Sequence, residues 1–365
     1  MSKSRALREN TFDSLCPKMR HRNRPRQLPS PWNFCVCTDT SRTAYFSTLV
    51  GHALEERPRR SLMSVPGSDT RKISKAQNLD ADAIVLDLED GVAHDKKEIA
   101  RDLVQQTLQD TSIEFGSGFS SSELCVRING LQTTECEADL QAILPCQRLQ
   151  SVVIPKVETA EDILFVSRKM DELCPTKTKD KVRIIAAIES ALGILNLREI
   201  ADTITASGSR LDALVFASED YCADVEAIRT NDAKELLFAR SLLVTTAKAY
   251  NLQAIDMVHI QFRDLEGLAA ECQNGRELGF TGKQAIHPNQ VNIINKHYSP
   301  SSHDVDFALR IVSAYEEVAV GNLNSGGKGS SAGACVVDGI VVDAPVYKWA
   351  RKIIRRAEIA GALPP

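Results

Sequence analysis

The chain has 365 residues, 43% hydrophobic and 25% charged, with a formal net charge of −4 at pH 7. That composition describes a globular enzyme with ample core material, in one large domain or two ordinary ones, and its slightly acidic balance leaves no general footprint for nucleic acid. No stretch approaches the roughly 18 consecutive apolar residues of a bilayer span, and the ten cysteines form no CxxC pair or zinc-spaced Cys/His cluster; apart from the close pair Cys35 and Cys37 in the N-terminal segment, they read as reduced, mostly buried thiols of an intracellular protein.

The first fifty residues stand apart. They hold nine basic residues (Lys3, Arg5, Arg8, Lys18, Arg20, Arg22, Arg24, Arg26, Arg42) against the acids Glu9, Asp13 and Asp39. Pro25, Pro29 and Pro31 argue against regular structure. An Arg-rich, acid-poor, Ser/Thr-rich leader reads as an organellar transit peptide. The run Arg42-Thr-Ala-Tyr-Phe-Ser resembles a mitochondrial processing site and puts cleavage near Tyr45. A basic tail that stays attached has the same composition. Residues 1–58 are assigned as transit peptide and lead-in.

From residue 60 the chain repeats one unit: a short apolar run, a polar cluster, a helical stretch. The runs are SLMSVPG (61–67), AIVLDLED (83–90), LCVRING (124–130), SVVIPKVE (151–158), RIIAAIES (183–190), ALVFASED (213–220), AIDMVH (254–259) and KQAIHP (283–288). Continuous aliphatic runs of this length suit strands buried on both faces. Intervening segments such as 159–174, 191–206 and 232–250 have helical spacing and length. Alternation of strand and helix implies a parallel sheet, and eight units close an α/β (β/α)8 TIM barrel over residues 59–300. The runs end in Glu89 and Asp90, Arg127 and Asn129, Lys156 and Glu158, Glu189, Glu219 and Asp220, and His287. In a barrel these ends converge on one rim, where the chemistry is done. An open doubly wound sheet is the competing architecture, but no GxGxxG follows a strand, and GFTGKQ (279–284) lacks the spacing of a phosphate loop.

Beyond the barrel, residues 303–320 read as an amphipathic helix and 321–334 as a Gly/Ser-rich connection. VVDGIVVDAP (336–345) and a basic helical stretch from Tyr347 to about Ala360 follow. Residues 301–365 are assigned as a C-terminal helical lid extension, since a flexible link to an ordered tail suits a moving cover. A tail that only packs on the barrel exterior fits the same pattern.

Glu189 and Asp220 fall at neighbouring strand ends, and two hard oxygen ligands suit Mg2+. Acids in βα turns also serve as helix caps, so the spacing leaves both readings open. Arg127 lies in an otherwise apolar strand. Its guanidinium needs an anion there, either a substrate oxygen or a structural partner at Glu89 or Asp90. Arg71, Lys72 and Lys75 follow the first strand and suit the phosphates of a bulky cofactor or a solvated helix face. His287-Pro288 ends the eighth strand, where barrels often bind phosphate; a lone histidine is more often a hydrogen-bonding core residue.

Taken together, RRSLMSVPGSDTRKI, DAIVLDLEDGV with KKEIAR, CVRING, IPKVE, AIESALGILN, LVFASEDY, LLFARS, AKAYNLQAIDMV, GFTGKQAIHPNQ and IVVDAP resemble the citrate lyase β-subunit/HpcH–HpaI aldolase superfamily, in order, from about residue 59 to 346. Within it the strings are most similar to the eukaryotic members that cleave citramalyl-CoA. The resemblance implies Mg2+ held by Glu189 and Asp220, a substrate contact from Arg127, CoA contacts from Arg71, Ile286 and His287, and a catalytic acid/base at Asp343 of the tail. It implies retro-Claisen cleavage of (3S)-citramalyl-CoA to acetyl-CoA and pyruvate, with possible malate synthase-like side activity, in a mitochondrial homotrimer whose tails cover neighbouring barrels. A malyl-CoA or β-methylmalyl-CoA lyase, a malate synthase, an aldolase of free hydroxy acids and a non-catalytic acyl-CoA or acyl-carrier-binding partner remain alternatives. Two departures bear on substrate choice: Ser64 stands where relatives often have tyrosine, and Ser218 where they often have glycine.

Overall fold

The computed structural model describes residues 57–109, 119, 122–206, 209–324 and 334–363. The transit-peptide motif, Cys35, Cys37 and residues 325–333 of the Gly/Ser stretch lie outside the described residues. Strands β1 (Ser61–Pro66), β2 (Ala83–Asp87), β3 (Glu123–Arg127), β4 (Ser151–Ile154), β5 (Arg183–Ile188), β6 (Leu211–Phe216), β7 (Gln253–Asp256) and β8 (Gly282–Ala285) form a closed barrel in sequence order. All neighbours are parallel, and β8 pairs with β1, which excludes the open sheet. At this closing seam Lys283 N donates to Arg60 O at 2.8 Å. The backbone passes so close that a Cβ on Gly282 would lie 1.9 Å from Arg59 O, so only glycine fits.

Around the barrel run α1 (Thr70–Ala76), α2 (Lys97–Gln109), α3 (Thr134–Ile143), α4 (Ala160–Leu173), α5 (Ala191–Leu195), α6 (Leu197–Asp202), α7 (Ser218–Asp224), α8 (Leu237–Ala249), α9 (Leu265–Leu278) and α10 (Pro288–Tyr298). The stretch expected as one helix over 191–206 breaks at Asn196, whose amide donates to Glu158 O at 2.9 Å. That contact fixes the chain beside the fourth strand's exit instead of letting the helix continue. The strands also end sooner than the apolar runs, so most of the charged ends lie in βα turns or first helical turns.

The period-two alternation of strands separates two apolar sets. One face packs against the helices. The other lines the barrel with Leu62, Ala83, Val85, Cys125, Val153, Ile185, Ala187, Ala213, Val215 and Ile255. The same parity continues to both ends of each strand. On β3, Glu123 lies below Cys125, and Arg127 lies above it. At the N-terminal mouth Glu123 accepts from Arg59 Nε at 2.6 Å and Nη2 at 2.9 Å, from Arg57 Nη1 at 2.8 Å and from Ser151 Oγ at 2.5 Å. Arg59 Nη1 also pairs with Asp212 at 2.6 Å. This mouth is plugged by ions that satisfy one another.

After α10 the chain forms α11 (Ser302–Asn324), a hairpin of β9 (Cys335–Val337) and β10 (Ile340–Val342), and α12 (Ala344–Ile359). The hairpin turns on Asp338 and Gly339, both at positive φ (50° and 78°), as a two-residue connection requires. Val305, Ala308, Ile311, Val337, Val342, Ala350, Ile353 and Ala357 form a core separate from the barrel's. The cysteines of the described residues are unpaired, and all but Cys335 are buried.

Candidate active site

The C-terminal mouth is built from the same inward parity. Register pairs Asp87 of β2 with Arg127 of β3. Arg127 grips Asp87 with a two-pronged fork, Nε to Oδ1 and Nη2 to Oδ2, both at 2.7 Å, while Nη1 reaches Glu89 Oε2 at 3.0 Å. Asp87 also accepts the backbone N–H groups of Glu89 and Gly91, each at 2.9 Å. A Cβ on Gly91 would lie 2.3 Å from Asp87 Oδ2, so this turn too needs glycine. Arg127 is thereby fixed and stays charged, its pKa moved up by its carboxylate partners against the cost of burial.

Of the two structural partners expected for Arg127, Glu89 is one and Asp90 is not. Asp90 lies 3.5 Å from Lys156 instead. The principal partner, Asp87, was not expected, because LDLED reads as a polar cluster closing the strand. Its parity with Val85 is the signal that identifies it. Lys156 binds Glu89 Oε1 at 2.8 Å. Lys97 Nζ donates to the carbonyls of Leu88 and Glu89 and to Asn129 Oδ1, each at 2.7 Å.

Glu189 follows β5 directly. It is buried, and among the described residues it has no hydrogen bond or ion pair. Helix capping does not occupy it, since Ser190 caps α5 by accepting from Gly193 N at 3.1 Å. Burial first, then the charges of Asp220 and Glu89, push its pKa up to about 7, although Arg127 and Lys156 pull the other way. Asp220 sits exposed in the first turn of α7, where the helix end also favours an acid. With Glu189 ionised, Asp87, Glu89, Asp90, Glu189 and Asp220 outnumber Arg127, Lys156 and Lys97 by two charges. A divalent cation would balance them. No group of three or more His, Cys, Asp or Glu is arranged as a metal site among the described residues. A cation held by Glu189 and Asp220 would fill its other positions from water or substrate, as Mg2+ does.

On another part of the rim, Ile286 is exposed and His287 precedes α10, its Nδ1 accepting from Asn289 N at 3.2 Å. The His287 ring stacks on Phe262, with centroids 4.8 Å apart and planes at 25°. Arg263 lies 5.4 Å from the Phe262 centroid. An open depression of about 440 Å3 follows Ile260–Asp264. Phe262 carries no sequence signal, since it lies in the loop after β7 and not at a strand end. Arg71 is exposed on α1. Ser64 is half-buried, at the parity of Leu62. Ser218 is buried and hydrogen-bonds Glu219 Oε1 at 3.1 Å.

Asp343 stands elsewhere. It caps α12, accepting from Val346 N at 3.2 Å, and it is exposed. Among the described residues it has no hydrogen bond or ion pair with the rim. The chain thus brings Arg127, Glu189 and Asp220 to one mouth and leaves Asp343 outside it.

Residues 60–288 match the HpcH/HpaI aldolase/citrate lyase family. The chain is 36% identical to the mitochondrial citramalyl-CoA lyase of Rattus norvegicus over 86% of its own length and 89% of that protein's. It is likewise 36% identical to a (3S)-malyl-CoA thioesterase of Cereibacter sphaeroides, covering 85% of this chain and 98% of the relative. Its fold is similar to that of CitE from Mycobacterium tuberculosis in complex with magnesium, acetoacetate and coenzyme A. The TM-score is 0.60 at 27% identity, over 82% of this chain and 97% of that one.

Proposed function

The chain belongs to the HpcH/HpaI aldolase/citrate lyase family and is a lyase, and from that premise we propose that it cleaves (3S)-citramalyl-CoA to acetyl-CoA and pyruvate. The observation that carries the reading is Glu189: a buried residue whose carboxylate has no hydrogen bond or ion pair among the described residues and lies within the electrostatic reach of Asp220 and Arg127. A carboxylate left without a protein partner at the rim is available to a ligand. Glu189 and Asp220 hold Mg2+, which supplies polarisation of the substrate's oxygens when bound. The bound magnesium and coenzyme A of the similar CitE structure support this assignment.

Arg127 takes the thioester oxygen. As the bond between the α-carbon and the carbinol carbon breaks, its electron pair forms the carbon–carbon double bond of the acetyl-CoA enolate and the carbonyl pair moves onto the thioester oxygen, while the hydroxyl gives its proton to solvent water in the mouth and becomes the keto group of pyruvate. The guanidinium is already oriented by Asp87, so it stabilises the developing enolate without reorganising, a contribution of roughly 3–4 kcal/mol for a comparable donor. Asp343 then gives a proton to the enolate carbon and yields acetyl-CoA. Arg71, Ile286 and His287 carry the CoA moiety.

Asp343 is exposed in its own chain, so the site is completed by a second copy. The assembly is a homotrimer in which the tail of one subunit covers the rim of the next. Exposed Val336 and Val341 on the hairpin, and exposed Leu195, Ile228 and Phe238 at the Asp220 end of the barrel, are the apolar surfaces such a cover would bury. The enzyme acts in mitochondria, a reading supported by the relative's location and by the basic, acid-poor leader.

The test is release of acetyl-CoA and of free CoA from (3S)-citramalyl-CoA by the full chain, with Mg2+ and then with EDTA. Acetyl-CoA release that stops with EDTA is expected. Free CoA instead of acetyl-CoA would replace the lyase with a thioesterase, the activity for which the Cereibacter relative is named. Asp343→Asn is expected to retain acyl-CoA binding and lose release; a variant that still turns over would remove Asp343 from the reaction.

A further inference from the structure

The ladder between β4 and β5 has an irregularity at the rim. Ile154 is paired with Ala186, and the next backbone contact is Val157 N to Ala187 O at 3.0 Å. Pro155 and Lys156 are looped out between these contacts, and Lys156 takes a φ of 52°. A left-handed conformation at a residue with a Cβ costs about 1 kcal/mol and persists where the surroundings impose it, often beside functional sites. Here it sets direction. Ser151 and Val153 share one parity on β4, and Val153 faces the barrel interior, whereas Ile154 faces the helices. An extended continuation would send Lys156 to the helix layer with Ile154. The bulge instead lays its side chain across the mouth, where such irregularities commonly re-aim a side chain.

At the mouth the ammonium meets Glu89 Oε1 at 2.8 Å, and the other oxygen of Glu89 holds Arg127 at 3.0 Å. One buried carboxylate therefore sets two cations side by side. Lys156 has three N–H donors. Glu89 takes one, Asp90 lies at 3.5 Å, and the side chain is 49% exposed, so donor capacity faces the open mouth. The cleaved substrate has two halves with different needs. The acetyl-CoA half develops an oxyanion, which Arg127 matches. The 2-oxo acid half carries a full carboxylate charge, to which a side-chain cation on the same rim can add a contact beside the metal.

We propose that Lys156 is a specificity-determining residue that binds the free carboxylate of the 2-oxo acid half of the substrate. This assignment rests on the lyase reading above. It explains why a strained backbone holds a lysine at this point of the rim: the bulge aims the ammonium, and Glu89 keeps it from swinging into solvent.

The test is calorimetric titration of the Mg2+-loaded full chain with pyruvate, in wild type, Lys156→Met and Lys156→Arg. Loss of one charge-assisted contact should raise the pyruvate Kd roughly 10–100-fold in Lys156→Met. Lys156→Arg should recover most of that, while the Mg2+ Kd of both variants stays within about threefold of wild type. A pyruvate Kd unchanged in Lys156→Met overturns the assignment. So does a Mg2+ affinity that falls in step with pyruvate affinity, because Lys156 would then act only through the metal ligands. Wild type that fails to bind pyruvate overturns it as well. Wild type that binds pyruvate through Lys156 yet leaves citramalyl-CoA intact would sink the substrate reading and leave this one standing.

Discussion

Glu123 and Glu189 stand at opposite mouths of one barrel and are almost equally buried, 5% and 4% exposed, yet they ionise in opposite directions. Against the cost of burial, Arg59, Ser151 and Arg57 hold the Glu123 carboxyl down to about 2. Burial, with Asp220 and Glu89 adding to it, pushes Glu189 up to about 7. Burial is common to both, so the partners make the difference. The N-terminal mouth pairs its charges for stability. The C-terminal mouth gathers more acid than its cations neutralise, and that stored cost is what a cation and a substrate relieve, the usual trade between stability and function.

The largest effect that would break this comparison is on turnover. Glu189→Gln should lower kcat roughly a thousandfold, the several kcal/mol a polarising metal supplies. Its melting temperature in EDTA should hold or rise, because the amide removes a buried charge and keeps the volume. A variant that keeps Mg2+-dependent turnover would put the metal elsewhere. At the other mouth the consequence reverses. Arg59→Met takes the ion-pair partner from Asp212 and leaves the buried Glu123 with only Arg57 and Ser151, and should cost about 3 kcal/mol of stability in urea unfolding. Its kcat/KM, measured well below the transition, should stay within about twofold of wild type. Lost activity with stability intact would mean that the plug communicates with the site and the two mouths are not separate.

The C-terminal mouth is more legible in the sequence than the N-terminal one, for a physical reason. Strand count, barrel closure and the rim positions of Arg127, Glu189 and Asp220 follow from repeated apolar runs with polar ends. The charged plug does not, because Arg57 and Arg59 precede the first strand and Asp212 lies on the sixth, and only closure brings them together. Asp87 was hidden for a subtler reason: parity decides which acid of LDLED faces Arg127, and the run as a whole reads only as a polar end. The bulge at Lys156 is likewise silent in sequence, since nothing in IPKVE announces a left-handed residue. Asp343 rests on resemblance alone, and its place in a neighbouring rim is a matter of assembly.

The smallest effect, and the sharpest form of the comparison, is in pH. A glutamate unfolds to an ordinary pKa of about 4.5. Glu123, depressed in the fold, contributes stability that is complete above 4.5 and lost as pH falls toward 2. Glu189, raised in the fold, costs nothing below 4.5 and progressively destabilises as pH climbs to 7, after which the cost is constant. Each limb spans up to about 3 kcal/mol by linkage. In EDTA, stability against pH should therefore slope away on both sides of a maximum near pH 4.5 from these two groups. Glu123→Gln should flatten the acid limb and leave the neutral one, and Glu189→Gln should do the converse. Saturating Mg2+ should flatten the neutral limb in wild type and leave Glu189→Gln unmoved, because the cation takes the place of the proton. A neutral limb that survives Glu189→Gln would show that the acid surplus at the rim is carried by another carboxylate.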